Sequence, residues 1–277
     1  NLVIGENASG KSNFLSAFSM LGHLRTGGFQ DWIQKSGAAE SILHLGVRNS
    51  VDARCTVEFE EVHGDRPVRN SYDARLSFAP PDTLVVREGL QHHRDGAPHP
   101  VRVFPPGPTR ESALLDEPDP DWSVVERNTR ATLRTLLSRC RYFHFHDTSS
   151  LAHVRRSCPT ESTQYLMHDA GNLAAFLHRL AQPDLRPYYE RIRSVVRRVY
   201  REFDDFVLAP DVHDPARILL RFRDRSAPTY GLGPHQVSDG SLRFMALATL
   251  FLQPEATLPD VIVLDEPELG LHPSASR

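Results

Sequence analysis

Near the start of the chain, Gly5-Glu6-Asn7-Ala8-Ser9-Gly10-Lys11-Ser12 has the spacing G-x-x-x-x-G-K-[ST], which suits phosphate binding. Gly5 and Gly10 let the backbone curl so that successive N–H groups face an anion. Lys11 is placed to reach the β- and γ-phosphates of a nucleotide, and Ser12 to set its hydroxyl on Mg²⁺. Only two of the 32 basic residues are lysines, Lys11 and Lys35, so a lysine at this spacing stands out.

A second set lies near the end. Val261-Ile262-Val263-Leu264 is followed by Asp265-Glu266-Pro267. An apolar run of this kind suits a fully buried parallel strand, whose carboxyl end is where α/β sheets hold ligands. Asp265 would hold Mg²⁺, directly or through water, and Glu266 would polarise an attacking water as general base. Asp116-Glu117-Pro118 repeats the three letters, but no β-branched run precedes it and it is rejected as a metal site. His144 and His146, at i and i+2, could ligate a metal from one face of a strand. No third ligand is placed by spacing, so a solvent or core role is the simpler reading.

These residues need elements to position them. Leu2-Val3-Ile4 reads as a strand before the loop, and Phe14, Leu15, Phe18, Leu21 and Leu24 give the helical spacing after it. The helix points its positive N-terminal end at the phosphates. Alternation at 56–60 and 72–78, followed by 83–86, predicts antiparallel strands. Residues 97–120 carry seven of the 21 prolines, a density that predicts a surface insertion. Helices are expected over 122–137, 170–180 and 187–203, strands over 141–145, 206–208 and 218–222, and an apolar helix over 244–252. From Arg186 to Arg201 there are six arginines and one glutamate. Arg193, Arg197 and Arg201 align at i, i+4 and i+8, with Arg191 and Arg198 nearby. Such a stripe is either a phosphate-tracking surface for DNA or RNA or a solvated helix face.

The 277 residues are 24% charged and 40% hydrophobic with a formal net charge of −3. Those figures exclude collagen-like, disordered and disulfide-scaffold chains, and a global polycation that would coat nucleic acid. Cys55, Cys140 and Cys158 lack metal-type spacing and read as reduced, cytosolic thiols. No run approaches 18 apolar residues, so no membrane span is expected. The opening Asn-Leu-Val-Ile looks like the middle of a strand, and the chain reads as a fragment cut at both ends.

Taken together, the first loop, Val237-Ser238-Asp239-Gly240-Ser241-Leu242-Arg243-Phe244 and Asp265-Glu266-Pro267-Glu268-Leu269-Gly270-Leu271-His272-Pro273 resemble the ABC-class ATPases. Within that class they resemble the soluble RecF/SMC/OLD-like branch, and more narrowly the bacterial RecF-like ATPases with an AAA-type core. Segments 143–149 and 169–174 are similar to that group as well. The resemblance implies an α/β fold: a P-loop NTPase head of ABC type with a mixed β-sheet core, an antiparallel β subdomain and a helical lobe over 121–203, forming one ATPase domain over 1–277 with 97–120 as its insertion. It implies ATP and Mg²⁺ as cofactors. Residues 5–13, through Asn13, would bind the nucleotide, with Lys11 and Glu266 catalytic and Ser12 and Asp265 on the metal.

The class works as a head-to-tail pair. By resemblance, Ser238, Asp239 and Gly240 would meet the γ-phosphate held by the other protomer's loop, and Leu269–His272 would form the D-loop at the dimer interface. The switch histidine is expected after Arg277 and an adenine-stacking residue before Asn1. Gln30, Gln34 and Gln164 are candidates for the Q-loop glutamine. Val-Ser-Asp-Gly-Ser departs from the transporter form Leu-Ser-Gly-Gly-Gln, which weakens a transporter reading, and a second signature helix disfavours a small-molecule kinase. No sustained heptads occupy the 225 residues between Ser12 and Ser238, so a compact head is expected rather than a coiled-coil arm. The expectation is a cytoplasmic ATPase that forms an ATP-dependent homodimer and acts on DNA in repair or genome maintenance. The alternative is the ATPase subunit of an anti-phage system controlling a partner nuclease or toxin.

Overall fold

The computed structural model describes residues 10–63 and 66–267. By its contacts the chain divides into two compact units, residues 1–141 and 142–277, each with its own hydrophobic core. The lobe expected over 121–203 is split by this division.

In the first unit, helices α1 (Lys11–Thr26), α2 (Phe29–Lys35) and α3 (Ala38–Ile42) precede strands β1 (Asp52–His63), β2 (Arg66–Ala79), β3 (Thr83–Arg94) and β4 (Val101–Val103), and helix α4 (Val124–Ser138) follows. The four strands form one antiparallel sheet in sequence order. Strict alternation sets its register: Val68, Asn70, Tyr72, Ala74 and Leu76 of β2 are buried alongside Leu84, Val86, Glu88 and Leu90 of β3. The other face carries cross-strand ion pairs, Arg54 with Asp73 at 2.5 Å and Arg75 with Asp52. Leu21, Leu24, Phe29, Ile33, Leu133 and Leu137 from the helices share the core with the sheet. A capping box starts α4: Ser123 Oγ accepts from Glu126 N at 3.3 Å and Glu126 Oε2 accepts from Ser123 N at 2.7 Å.

Residues 97–120 are not a mere surface insertion. Val101–Val103 is a sheet strand, and Val103, Ala113 and Leu114 are buried. The proline density interrupts regular structure, but side chains hold the segment down. Glu111 accepts from Phe29 N at 2.9 Å and Gln30 N at 3.0 Å, capping α2 where Gly28 has no side chain to do so. Buried Glu88 accepts from Tyr72 Oη at 2.5 Å, Ser112 Oγ at 2.6 Å and Ala113 N at 2.7 Å. Burial first, then the Glu88 carboxylate, pushes the Tyr72 phenol well above its usual range and keeps it a donor.

Strand β5 (Cys140–Phe143) spans the point of division. The second unit continues with a 3₁₀ turn at His153–Arg155, strand β6 (Cys158–Pro159), helices α5 (Leu173–Leu180) and α6 (Arg186–Val199), strands β7 (Phe203–Val207), β8 (Arg217–Ile218), β9 (Arg221–Asp224) and β10 (Ala227–Leu232), a 3₁₀ turn at Pro234–Gln236, helix α7 (Asp239–Leu252) and strand β11 (Val261–Leu264). Strands β10, β9 and β7 form one sheet, β11 pairs with β5, and β6 with β8. Phe176, Ile192, Val196, Phe203, Phe222, Leu242 and Met245 meet in the core. Strand β11 was expected to be fully buried; Val261 is 40% exposed and the next three residues are half-buried, with β5 as the partner among the described residues.

The basic stripe of α6 is largely internal to the fold. Arg193 pairs with Asp205 at 3.0 Å and Arg197 with Asp204 at 2.8 Å, while Arg191, Arg198 and Arg201 are exposed. The cysteines are all free thiols. Among the described residues no helix is long and apolar enough to cross a membrane.

The buried Glu88 arrangement makes a testable claim. Glu88→Gln sets an amide donor among three donors and should destabilise the protein by about 1–3 kcal/mol, read as a shifted urea midpoint with unchanged slope.

Candidate functional site

Gly5 to Ser9 lie outside the described residues, as does the side chain of Ser12. Gly10 precedes α1 with φ +90°, a left-handed backbone that favours glycine. Its carbonyl accepts from Phe14 N at 3.0 Å, so the helix starts at once. No side chain caps α1, which leaves its first turn to the loop and to an anion. Lys11 is its first residue and Asn13 is exposed. These features fit a phosphate loop.

In the second unit, β11 delivers Asp265 and Glu266 at its carboxyl end. Glu266 is exposed and has φ +36°, an unusual conformation for a residue with a Cβ. Asp265 is tied to the end of β5. His146 Nε2–H donates to the Asp265 carbonyl at 2.8 Å. His144 Nδ1 lies 3.9 Å from Asp265 Oδ2 and 3.2 Å from Tyr142 Oη. Burial, then the Asp265 charge and a hydrogen bond to it, push the Tyr142 phenol up to about 12. Burial, then His146, holds the His144 imidazole below its usual range against the pull of Asp265. Tyr142 is therefore a neutral donor at physiological pH, and His144 favours its neutral form. A small cleft at this end is lined by His146, Arg243, Leu247, Asp265 and Glu266. Hard oxygen ligands of the Asp265 type suit Mg²⁺. Among the described residues no group of three or more His, Cys, Asp or Glu could hold a metal, so His144 and His146 serve the Asp265 strand end instead.

Ser238 caps α7. Its Oγ accepts from Ser241 N at 3.1 Å and donates to Ser241 Oγ at 2.9 Å. Ser238 and Asp239 are exposed and Gly240 is half-buried in the first turn. Asp239 Oδ1 accepts from Arg155 Nη2 at 2.5 Å. Arg243, one turn into α7, donates from Nη2 to the His146 carbonyl at 2.7 Å. The second unit thus brings the end of α7 and the Asp265 strand end onto one segment, His146 to Thr148.

A family model described as "AAA domain, putative AbiEii toxin, Type IV TA system" matches residues 1–277. The chain belongs to this AAA-domain family. It is a P-loop ATPase domain. A putative ABC transporter ATP-binding protein of Geobacter sulfurreducens is similar to it, 30% identical over 155 residues that cover 49% of this chain and 60% of the relative. The chain therefore spans about six-tenths of that relative's length.

Several predicted residues of the ATPase domain fall differently from expectation. Leu269–His272 lie outside the described residues. Gln30 commits its amide to the fold: Nε2 donates to Leu84 O and Arg110 O, and Oε1 accepts from Thr83 Oγ1. Gln34 and Gln164 are exposed. Sequence reasoning missed Tyr142, Arg155 and Arg243. The signal for the β5 end was present in the alternation Tyr142-Phe143-His144-Phe145-His146, which sets three polar rings on one side of a strand.

The capping role of Ser238 can be measured without nucleotide. Ser238→Ala should cost about 1 kcal/mol and Ser238→Gly a few tenths, by chemical denaturation.

Proposed function

We propose that this chain is an ATP-binding and ATP-hydrolysing head of the ABC class, RecF-like in type, that pairs head to tail with a second copy when ATP is bound. The observation that carries the reading is the second unit's arrangement: Asp265 and Glu266 at the end of β11, and Ser238 to Gly240 at the start of α7, both fastened to the end of β5. Residues 5–13 would wrap the phosphates, with Lys11 countering their charge. Ser12 and Asp265 would hold Mg²⁺, which supplies charge neutralisation between the β- and γ-phosphates when bound. Glu266, exposed beside Asp265, would orient and deprotonate the attacking water. Ser238 and the amide end of α7 would stabilise the γ-phosphate from the opposite head. ATP and ADP then differ in affinity for the closed pair, as a switch requires.

For the output, exposed Arg191, Arg198 and Arg201 support a grip on DNA in repair or genome maintenance. The family description, with its toxin and toxin–antitoxin system, favours a second reading, an ATPase that controls a partner nuclease or toxin in defence. Both place the protein in the cytoplasm.

The test is steady-state ATP hydrolysis by the full-length protein, with and without DNA. Glu266→Gln should lower kcat by about 10²-fold or more while ATP binding persists, and Lys11→Met should abolish binding. Stimulation by DNA that vanishes in Glu266→Gln supports the repair output; hydrolysis indifferent to DNA supports the partner-protein output. A wild-type protein that neither hydrolyses ATP nor pairs on binding it sinks the mechanism.

A further inference from the structure

The Ser238-Asp239-Gly240 turn contains an electrostatic contradiction. On the proposed reading it faces a γ-phosphate, yet Asp239 adds a negative charge beside that phosphate. An unpaired carboxylate there would oppose binding. The fold answers with Arg155. This residue is 7% exposed, while the Asp239 side chain is 62% exposed. Its guanidinium holds three partners at once: Nε donates to Thr148 O at 2.6 Å, Nη1 to Pro234 O, and Nη2 to Asp239 Oδ1 at 2.5 Å. Pro234 starts the 3₁₀ turn that leads into Ser238, so one side chain grips the turn both before and after the serine. A buried guanidinium needs a counter-charge, and Asp239 is the carboxylate within ion-pair distance. Asp239 cannot swing toward a phosphate without leaving that charge uncompensated.

We propose that Arg155 is the positioning residue of the signature turn, and that Asp239 is its counter-ion rather than a nucleotide contact. Arg155 neutralises Asp239 and fixes the backbone on both sides of Ser238, so that the hydroxyl and the first amides of α7 are what a phosphate meets. This revises the assignment of Asp239 as nucleotide-binding. The role rests on the reading of Ser238 to Gly240 as the element that meets nucleotide across a pair of heads.

Two readouts on the full-length protein separate the inference from that reading. The first needs no nucleotide: hydrogen–deuterium exchange of residues 234–242. Arg155→Lys, which keeps the charge but not the fork, and Asp239→Asn, on the exposed side, should each speed exchange there by about tenfold, with the rest of the chain unchanged. The second is kinetic. Both variants should bind fluorescent ATP as the wild type does and keep KM, while kcat and ATP-dependent pairing fall about tenfold, and the double variant should be no worse than either single one. Asp239→Asn that weakens pairing while Arg155→Lys matches wild type in exchange and kcat overturns the proposal and restores Asp239 as a direct contact. Additive losses in the double variant overturn it as well. If the wild type binds no ATP, the ATPase reading fails and the positioning role falls with it, whereas changed exchange would still show the Arg155–Asp239 anchor.

Discussion

Buried irregular backbone must find hydrogen-bond partners or pay a desolvation penalty, and in this protein long polar side chains provide them. Arginine does so repeatedly: Arg130 donates to the carbonyls of Leu114 and Asp116, Arg155 to those of Thr148 and Pro234, Arg243 to that of His146, and Arg225 to that of Phe203. Glutamate is the complement, Glu111 and Glu88 accepting from backbone N–H groups. This gives a physical sense to a composition with two lysines among 32 basic residues. A guanidinium presents a planar fork of donors that can serve two carbonyls together; an ammonium is a compact point charge. Lysine is left for the position where a point charge on phosphate is wanted.

The same device brings the chemistry together in the second unit. The end of β5 is a short irregular segment whose carbonyls are taken by Arg243 from α7 and by Arg155, and whose His146 ring reaches the Asp265 backbone. No strand register enforces this meeting. Three side chains do, and they set carboxylates in different surroundings. Asp265 has aromatic hydrogen-bonding neighbours and a phenol that stays protonated. Asp239 has a guanidinium. Glu266 remains exposed, as a group that must meet water requires.

The elements that arise from local periodicity were legible. Alternation announced β1 to β3, helical spacing announced α1, α4, α6 and α7, and the loop motif placed a helix at Lys11, all close to the observed bounds. Residues 97–120 were misread, because proline density speaks only of backbone regularity. It says nothing of Glu88, Glu111 and Arg130, which hold that segment from afar. Arg155 was invisible for the same reason: its partners are 7, 79 and 84 residues away, and no spacing rule links such positions. Asp239 was read from its neighbours in the motif, whereas its occupation is decided by a buried cation elsewhere in the chain.

The arginines of α6 show how far a charge count can mislead. Six were visible in sequence; Arg186 is paired with Glu190, Arg193 with Asp205 and Arg197 with Asp204, and those two aspartates sit side by side on β7, where the helix packs. That leaves exposed Arg191, Arg198 and Arg201. Three phosphate contacts correspond to a log–log salt slope of about −2.7 on duplex DNA, too shallow for a strong nonspecific grip by one head at physiological salt. Two heads would double the contacts. In the proposed pair, any hold on DNA through this helix would therefore depend on closure, and closure on ATP. A single basic helix too weak to act alone is then the better component for a switch, because its affinity rises only when the nucleotide brings a second copy beside it.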